Sequence, residues 1–432
     1  MNKLKYILYC FIVFSFLGRA VTLEETIKEN LYRNPQIKVS IQNYKASFYE
    51  LKRVMGEKRP TLNLSGELGK ERTKVDYSFN GSRQLTEHQL LLSGRYNLFD
   101  GDELKHKIGE KESALTLAKN QLLQKVNKIS FSIIEVYLQL LWKKSLLEIE
   151  EENYQNHLET LEKVKIRLQA GDGYESDYRQ TKARVKLAQL NRVLAQRLYR
   201  EAKIRYRRLV KDSPSISLMR IPRVNFYFDD KKVEAFISKA YHNNFTLQAQ
   251  KSQQNISREL YFQEKSSSYP TVDLELSQSW NNNVHGFKGG DSGQKVALVF
   301  NYNLYDGGVE HASQLSALKR SEMEQESLED IKLMVAEEIR LALMKYKVLE
   351  EQIALSREQL SYLDGTRELY ELEYQNSKRT IIDLLNIKQE YIHAKAQQVN
   401  STFEQLLSYY QFKSVMGELT QLFRLDELLE MP

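Results

Sequence analysis

Apolar and polar positions change period along this chain in a fixed order, and the order occurs twice. From Thr22 to Glu57, Ile27, Leu31, Ile37, Ile41, Tyr44 and Phe48 keep a broadly helical spacing, with Asn34-Pro35 marking a kink or break. The period then drops to two. Over Thr61–Gly69, Leu62, Leu64 and Leu68 alternate with Asn63, Ser65 and Glu67. Over Glu87–Phe99, Leu90, Leu92, Tyr96 and Leu98 share a face. Later in the chain, Val272, Leu274, Leu276 and Trp280 oppose Asp273, Glu275, Ser277 and Ser279, and Val296, Leu298, Phe300, Tyr302 and Leu304 share the face of a fourth strand. Strict alternation gives a strand one apolar and one polar face. Segments of about ten such residues match the pattern of transmembrane β-strands. The loops between them, Thr73–Thr86 and Asn281–Ser292, are rich in Gly, Ser, Asn and Lys and read as exposed hairpin loops.

After each strand pair the period lengthens to seven. Asp100 is placed to N-cap a helix, with Glu103 at the capping-box position. Val126, Ile133, Leu140, Leu147, Tyr154, Leu161 and Leu168 lie seven apart, and Ile108, Leu115, Leu122, Ile129 and Val136 form a second series. The later copy repeats the register with Ile339, Tyr346, Ile353, Leu360 and Tyr374, interrupted by Arg367. Sustained heptads mean coiled-coil packing. A helix running unbroken to Ala170 would span roughly 100 Å at about 1.5 Å per residue, which predicts a rod. Gly171-Asp172-Gly173 ends the first rod and Asn376-Ser377-Lys378 the second. Returning helices follow, Tyr174–Lys211 and Thr380–Gly417.

The duplication is visible in the letters. Asn34 and Pro60 recur as Asn244 and Pro270, 210 positions on. Asn97-Leu98-Phe99-Asp100-Gly101 recurs as Asn303-Leu304-Tyr305-Asp306-Gly307, 206 positions on. The shorter offset then carries Gln169 onto Gln375, Asp177 onto Asp383, Ala188 onto Ala394 and Tyr206 onto Phe412. A unit of about 200 residues is too long for a solenoid repeat, so the chain is two copies of one module. The expected organisation is a signal peptide over 1–20, a first repeat over 21–212, a linker over 213–232, a second repeat over 233–417 and a tail over 418–432.

Composition agrees. The 432 residues are 28% charged and include only 18 Gly and 6 Pro. With a mean hydropathy of −0.55 this suits long polar-faced helices. Lys3 and Lys5, the apolar run Tyr6–Leu17 and Gly18-Arg19-Ala20 read as a secretory signal, being too short for a spanning helix, which needs roughly 20 residues. Cys10, the only cysteine, falls inside it, so the expected mature chain has no disulfide, zinc-thiolate site or nucleophilic cysteine. Without Lys3, Lys5 and Arg19 the net charge falls from +6 to +3, too mild to imply nucleic acid.

Some signals carry little. The first returning helix is very basic, from Arg179, Lys182 and Arg184 through Lys186, Arg192 and Arg197 to Arg208 and Lys211, while its counterpart has only Lys388, Lys395 and Lys413. A solvated outer face is the default reading, and a charge belt facing an adaptor or a lumen is the functional one. Gly289–Lys295 has the wrong spacing for a phosphate loop and precedes a strand. The seven histidines show no metal-ligand spacing, and no nucleophile or carboxylate set suggests an enzyme or a bound cofactor.

Four amphipathic strands cannot close a barrel, and open edges in a bilayer leave unpaired N–H and C=O groups costing several kcal/mol each. Either the strands lie outside a membrane, in a soluble periplasmic coiled-coil scaffold or adaptor, or several chains pool them. Three copies would supply twelve strands and twelve helical segments around one axis.

The duplicated module, the Asn34-Pro35 helix, the Pro60 and Pro270 strand entries, the Asn-Leu-Phe/Tyr-Asp-Gly segments and Tyr374-Gln375-Asn376-Ser377-Lys378-Arg379-Thr380-Ile381-Ile382-Asp383-Leu384-Leu385 together resemble the TolC family of outer-membrane channel-tunnel proteins. The resemblance covers essentially all of the expected mature chain. It implies a mixed α and β membrane protein of a Gram-negative outer membrane: a homotrimer with a 12-stranded β-barrel in lipid and a 12-helix tunnel in the periplasm. It also implies a passive export duct of a tripartite efflux or type I secretion system, docking a periplasmic adaptor (membrane fusion) protein and an inner-membrane pump of RND, ABC or MFS type.

By position, the resemblance places a gate at the rod tips. Tyr374 and Arg379 of the second copy would meet Ser176 and Asp177 of the first through charge-assisted bonds. Asp177 is equally placed to cap its own helix. Asp383 would form a ring of three carboxylates at a constriction, or else sit solvated in the first turn of its helix. Where the family often has a second acidic ring this chain has Asn386, which weakens cation blockage. Gly171 matches a tip glycine of the family, whereas its counterpart is Ser377, so the two tip turns are expected to differ.

Overall fold

The computed structural model describes residues 22–73, 83–210, 218–227 and 229–423. The expected signal peptide, most of the first hairpin loop and parts of the linker and tail lie outside these residues. The first copy contains α1 (Leu23–Arg33), α2 (Pro35–Gly56), β1 (Thr61–Thr73), β2 (Arg83–Phe99), α3 (Glu103–Gln169) and α4 (Glu175–Leu209). The second contains α5 (Val233–Asn243), α6 (Phe245–Ser266), β3 (Thr271–Asn282), β4 (Gly290–Asn301), α7 (Val309–Gln375) and α8 (Ile381–Val415), followed by the short α9 (Leu419–Leu422). Equivalent helices match in length: α3 and α7 have 67 residues each, and α4 and α8 have 35 each.

Local chemistry accounts for the boundaries. α1 opens on a capping box, in which the Thr22 hydroxyl accepts from the Glu25 N–H at 3.2 Å and the Glu25 carboxylate accepts from the Thr22 N–H. The helical stretch over Thr22–Glu57 breaks at Asn34-Pro35, as expected, into two helices. At Asn34 the backbone turns extended (ψ 122°), as the residue before a proline prefers. Asn244 makes the same turn (ψ 119°) before Phe245, so the break does not depend on proline. At the head of α3 the Asp100 carboxylate accepts from the Leu104 N–H at 3.1 Å.

The chain divides into two compact units that cut across the repeats. One comprises Ser40–Leu122 with Thr246–Ile331, and the other holds the remaining residues. The first unit contains an antiparallel sheet of order β1-β2-β3-β4. Its register sets Leu64 opposite Leu92, Leu90 opposite Trp280, Leu274 opposite Leu298 and Val272 opposite Phe300, so one face is mainly apolar, with Gln278, Gln294 and His88 as polar positions toward the hairpin loops. The other face aligns Asn63 with Ser93, Arg95 with Glu275, and Asn97 with Asp273. There the Arg95 guanidinium donates to Asp273 at 2.6 Å, and the Asn97 amide donates to the same carboxylate at 3.1 Å. Among the described residues the outer edges of β1 and β4 have no strand partner.

Four details of the strand reading change. β1 runs on to Thr73 and β2 begins at Arg83, so both ends of the expected Thr73–Thr86 loop are strand. A bulge between Asn97 and Phe99 puts Phe99, not Leu98, opposite Val272. β4 ends at Asn301, so Tyr302 and Leu304 lie beyond it, and the second hairpin loop shortens to 283–289.

In the other unit Ile133, Leu140, Ile339 and Tyr346 of the predicted heptads are buried. The Tyr137 hydroxyl donates to the Arg220 carbonyl at 2.8 Å, and the Trp142 indole donates to Asn400 at 2.8 Å. α7 carries a second, unforeseen stripe. Met334, Leu341, Val348, Leu355, Tyr362 and Leu369 also lie seven apart, and all are exposed.

Candidate functional site

The site lies where α3 turns into α4 and α7 into α8. Both turns have one geometry. The Asp172 N–H donates to the Arg167 carbonyl and the Lys378 N–H to the Glu373 carbonyl, the long bond of a Schellman cap. Gly171 (φ 78°) and Ser377 (φ 54°) both occupy the left-handed region this requires. The expected asymmetry is therefore of side chain and not of backbone. A serine costs more than glycine in this conformation, and here its hydroxyl is used: Arg167 Nη2 donates to Ser377 Oγ at 2.6 Å. Arg167 thus ties the first turn to the second, with its guanidinium 5.0 Å from the centre of the Tyr374 ring.

Beneath the turns Val164, Tyr374, Ile381, Leu384, Leu385 and Ile387 form a buried cluster, with Tyr178, Leu363 and Tyr370 packed against it. Tyr374, predicted as a gate link, is part of this core at 8% exposure. Arg379 donates from Nε to Glu373 at 2.9 Å and stacks its guanidinium 4.1 Å from the Tyr370 ring centre. The hydrogen bond to Glu373 holds the Arg379 guanidinium above its ordinary pKa. Within one chain, among the described residues, no hydrogen bond or ion pair joins Tyr374 or Arg379 to Ser176 or Asp177. Ser176 is exposed and Asp177 half-buried in the first turn of α4, whose N-cap Tyr174 makes no side-chain capping bond.

Asp383 is bound at the start of its helix. The Asp383 N–H donates to Thr380 Oγ1 at 3.2 Å, and the Thr380 hydroxyl donates back to the Asp383 carboxylate at 2.8 Å. Asn386 Oδ1 accepts from Arg184 Nη2 at 3.2 Å. The departure from a second acidic position therefore gives one of the basic α4 side chains a neutral partner.

Further in lies a charged network that the heptad pattern did not reveal. Lys163 donates to Glu371 at 2.9 Å, and Lys388 donates to Thr160 at 3.2 Å while its nitrogen lies 3.9 Å from Glu371. The bond from Lys163 keeps the Glu371 carboxyl below its usual range, and burial lowers the Lys388 ammonium. These groups line a cavity of about 490 Å³ together with Arg167, Asp172 and Leu384. His157 is 1% exposed, and its Nδ1 has no partner. Burial, then the charges of Lys388 and Arg184, push its pKa down to about 4. A signal for this network was present in the repeat: positions 206 apart carry opposite charges, Arg167 against Glu373, Lys165 against Glu371 and Asp172 against Lys378.

No helix of the described residues is long and apolar enough to cross a membrane. No group of three or more His, Cys, Asp or Glu side chains among them could hold a metal ion. What the geometry offers is paired helical turns locked by polar bonds.

The chain is 21% identical over 444 residues to the outer membrane protein TolC of Escherichia coli K12, covering 97% of this chain and 87% of TolC. Among solved structures it resembles the outer membrane protein VceC of Vibrio cholerae, with a TM-score of 0.81 at 16% identity over 91% of this chain and 96% of that one. It also resembles the Campylobacter jejuni CmeC outer membrane channel, with a TM-score of 0.80 at 12% identity over 92% and 85% of the two chains. The family model for outer membrane efflux proteins matches residues 26–210 and 236–418, once over each copy, and the chain belongs to that family.

Proposed function

We propose that three copies of this chain close a 12-stranded barrel in the outer membrane, continued by a 12-helix tunnel in the periplasm, and serve as a passive export duct. The observation that carries this is the sheet. Its Leu64, Leu90, Leu274 and Leu298 face is mainly apolar, its other face is mainly polar, and its two outer edges are unpaired among the described residues. Lipid suits the first face and a water-filled lumen the second. Pairing the β4 edge of one copy with the β1 edge of the next removes both open edges. A soluble scaffold would leave the apolar face bare in water.

In this reading the rod tips form the gate. Arg379 and Tyr374 meet Ser176 and Asp177 across neighbouring hairpins, and Asp383 from three chains rings the constriction, with Asn386 making a second ring neutral. Wet links of this kind contribute on the order of 1 kcal/mol each, weak enough to open. Opening follows docking of a periplasmic adaptor and an inner-membrane pump, which supplies the energy for tripartite efflux or type I secretion. Support comes from the half-exposed position of Asp177 and, among the described residues, from the absence of any hydrogen bond or ion pair to its carboxylate. Fractionation tests the reading. The expected result is a band in the outer-membrane fraction that runs as a trimer in SDS and becomes a monomer only on boiling. A chain washed into the soluble periplasmic fraction as a monomer would overturn it.

A further inference from the structure

Charge is sorted by face at the hairpin end of β1. The run Glu67-Leu68-Gly69-Lys70-Glu71-Arg72 lies wholly within the strand, and a strand sends successive side chains to opposite faces. Glu67 and Glu71 therefore share the polar face, while Lys70 and Arg72 continue the apolar face of Leu62, Leu64 and Leu68. Those three leucines are 67–73% exposed. Glu71, the acid between the two bases in sequence, is turned away and held. Its carboxylate accepts from the Thr73 hydroxyl at 2.6 Å and from the Gly286 N–H at 3.2 Å. Lys70 and Arg72 are exposed. Among the described residues the Lys70 ammonium and the Arg72 guanidinium have no hydrogen bond or ion pair. An apolar stripe thus ends in two uncompensated cations.

The register sets their height. Lys70 pairs with Thr86 and Arg72 with Gln84, both on β2. Tyr96, ten residues from Thr86 on β2, lies on the same face near the helical end of the sheet. Ten residues rise about 33 Å along a strand, or about 25 Å in height at a tilt of about 40°. The apolar band of an outer-membrane barrel is about 25 Å tall and is bounded by aromatic side chains. With Tyr96 at the lower boundary, Lys70 reaches the upper one and Arg72 lies roughly 5 Å beyond it. The helices join the sheet at the Tyr96 end, so the two cations stand at the far membrane surface, level with lipid headgroups.

Resting on the barrel reading, we infer that Lys70 and Arg72 form a site on the outside of the barrel for the phosphate of a phosphorylated glycolipid in the outer leaflet. An arginine fork makes two parallel bonds to phosphate, and lysine adds a compact charge. The two bases are two positions apart, about 7 Å, so both reach one phosphate. A phosphomonoester carries nearly two negative charges at neutral pH and suits the pair better than a singly charged phosphodiester. β1 is an edge of the sheet, so a trimer holds three such sites, each beside a junction between copies. Lipid bound there pins the height of the barrel and covers the junction.

The test is native mass spectrometry of the detergent-solubilised full-length protein titrated with bis-phosphorylated lipid A. Wild-type trimer should take up to three lipids. Lys70→Gln with Arg72→Gln should bind roughly tenfold more weakly, and the charge-keeping Lys70→Arg with Arg72→Lys should stay within about threefold of wild type. Dephosphorylated lipid A and phosphatidylglycerol should bind wild type weakly and should not distinguish it from the glutamine variant. Equal lipid A binding by wild type and the glutamine variant would overturn the site. So would wild type binding the dephosphorylated lipid as tightly as the phosphorylated one, a comparison that needs no variant. Phosphatidylglycerol bound as tightly as lipid A would overturn the phosphomonoester assignment. Each of these outcomes in a membrane-inserted trimer leaves the duct standing, whereas a wild-type chain that stays monomeric and soluble overturns both.

Discussion

His157 is a buried residue of α3, with Lys388 of α8 and Arg184 of α4 as its charged neighbours. A free imidazole takes its proton near pH 6.5, whereas here it does so near 4. As pH falls the unfolded chain therefore protonates first. The sign follows: stability from this site is full above about pH 6.5, declines between 6.5 and 4, and levels off below, with a total loss on the order of 3 kcal/mol. Thermal melts of the detergent-solubilised protein from pH 7 to 4 should show this decline, and His157→Gln should remove that share of it. Identical pH profiles for the two proteins would contradict the placement. No sequence pattern singled out His157, because a histidine in a polar run reads the same whether it faces water or a neighbouring helix.

At the scale of elements, the tip turns show what the letters could and could not give. The turn positions were legible from Gly171 and Ser377, but their equal backbone was not, since a serine gives no sign of adopting φ 54°. The Arg167–Ser377 bond offsets the strain, which leads to a graded prediction. Ser377→Ala keeps the strain and loses the bond, so it should destabilise by about 1 kcal/mol. Ser377→Gly loses both and should lie close to wild type. Hydrogen-exchange protection of the tip amides would read the order, and an alanine variant as stable as the glycine one would refute it. The strands were legible to within a few residues because a period of two leaves little choice of face. The bulge at Leu98 was not, since one extra residue needs a partner strand to reveal it. The exposed α7 stripe was missed because the stronger Ile339–Tyr346 seam on the same helix satisfies the same period.

At the scale of the whole molecule, the duplication was fully visible in the sequence, yet the compact units are not the repeats. Each unit takes part of both copies. A repeat in the letters fixes which elements recur, and packing between the copies decides what folds as one body. The proposed duct fits the composition, since a chain that builds a wall would need two faces on its strands and helices instead of one thick core. Removing the proposed tip links should open the resting state. Arg379→Ala with Tyr374→Phe is expected to raise conductance over wild type, and unchanged conductance would count against the gate.

The most direct test of the duct is the single-channel conductance of the purified wild-type protein in a planar bilayer. Discrete, small, cation-preferring steps are expected, because in the proposed gate the closed tips with their Asp383 carboxylates limit the path. Folded protein that never inserts, or that inserts without any step, would contradict it.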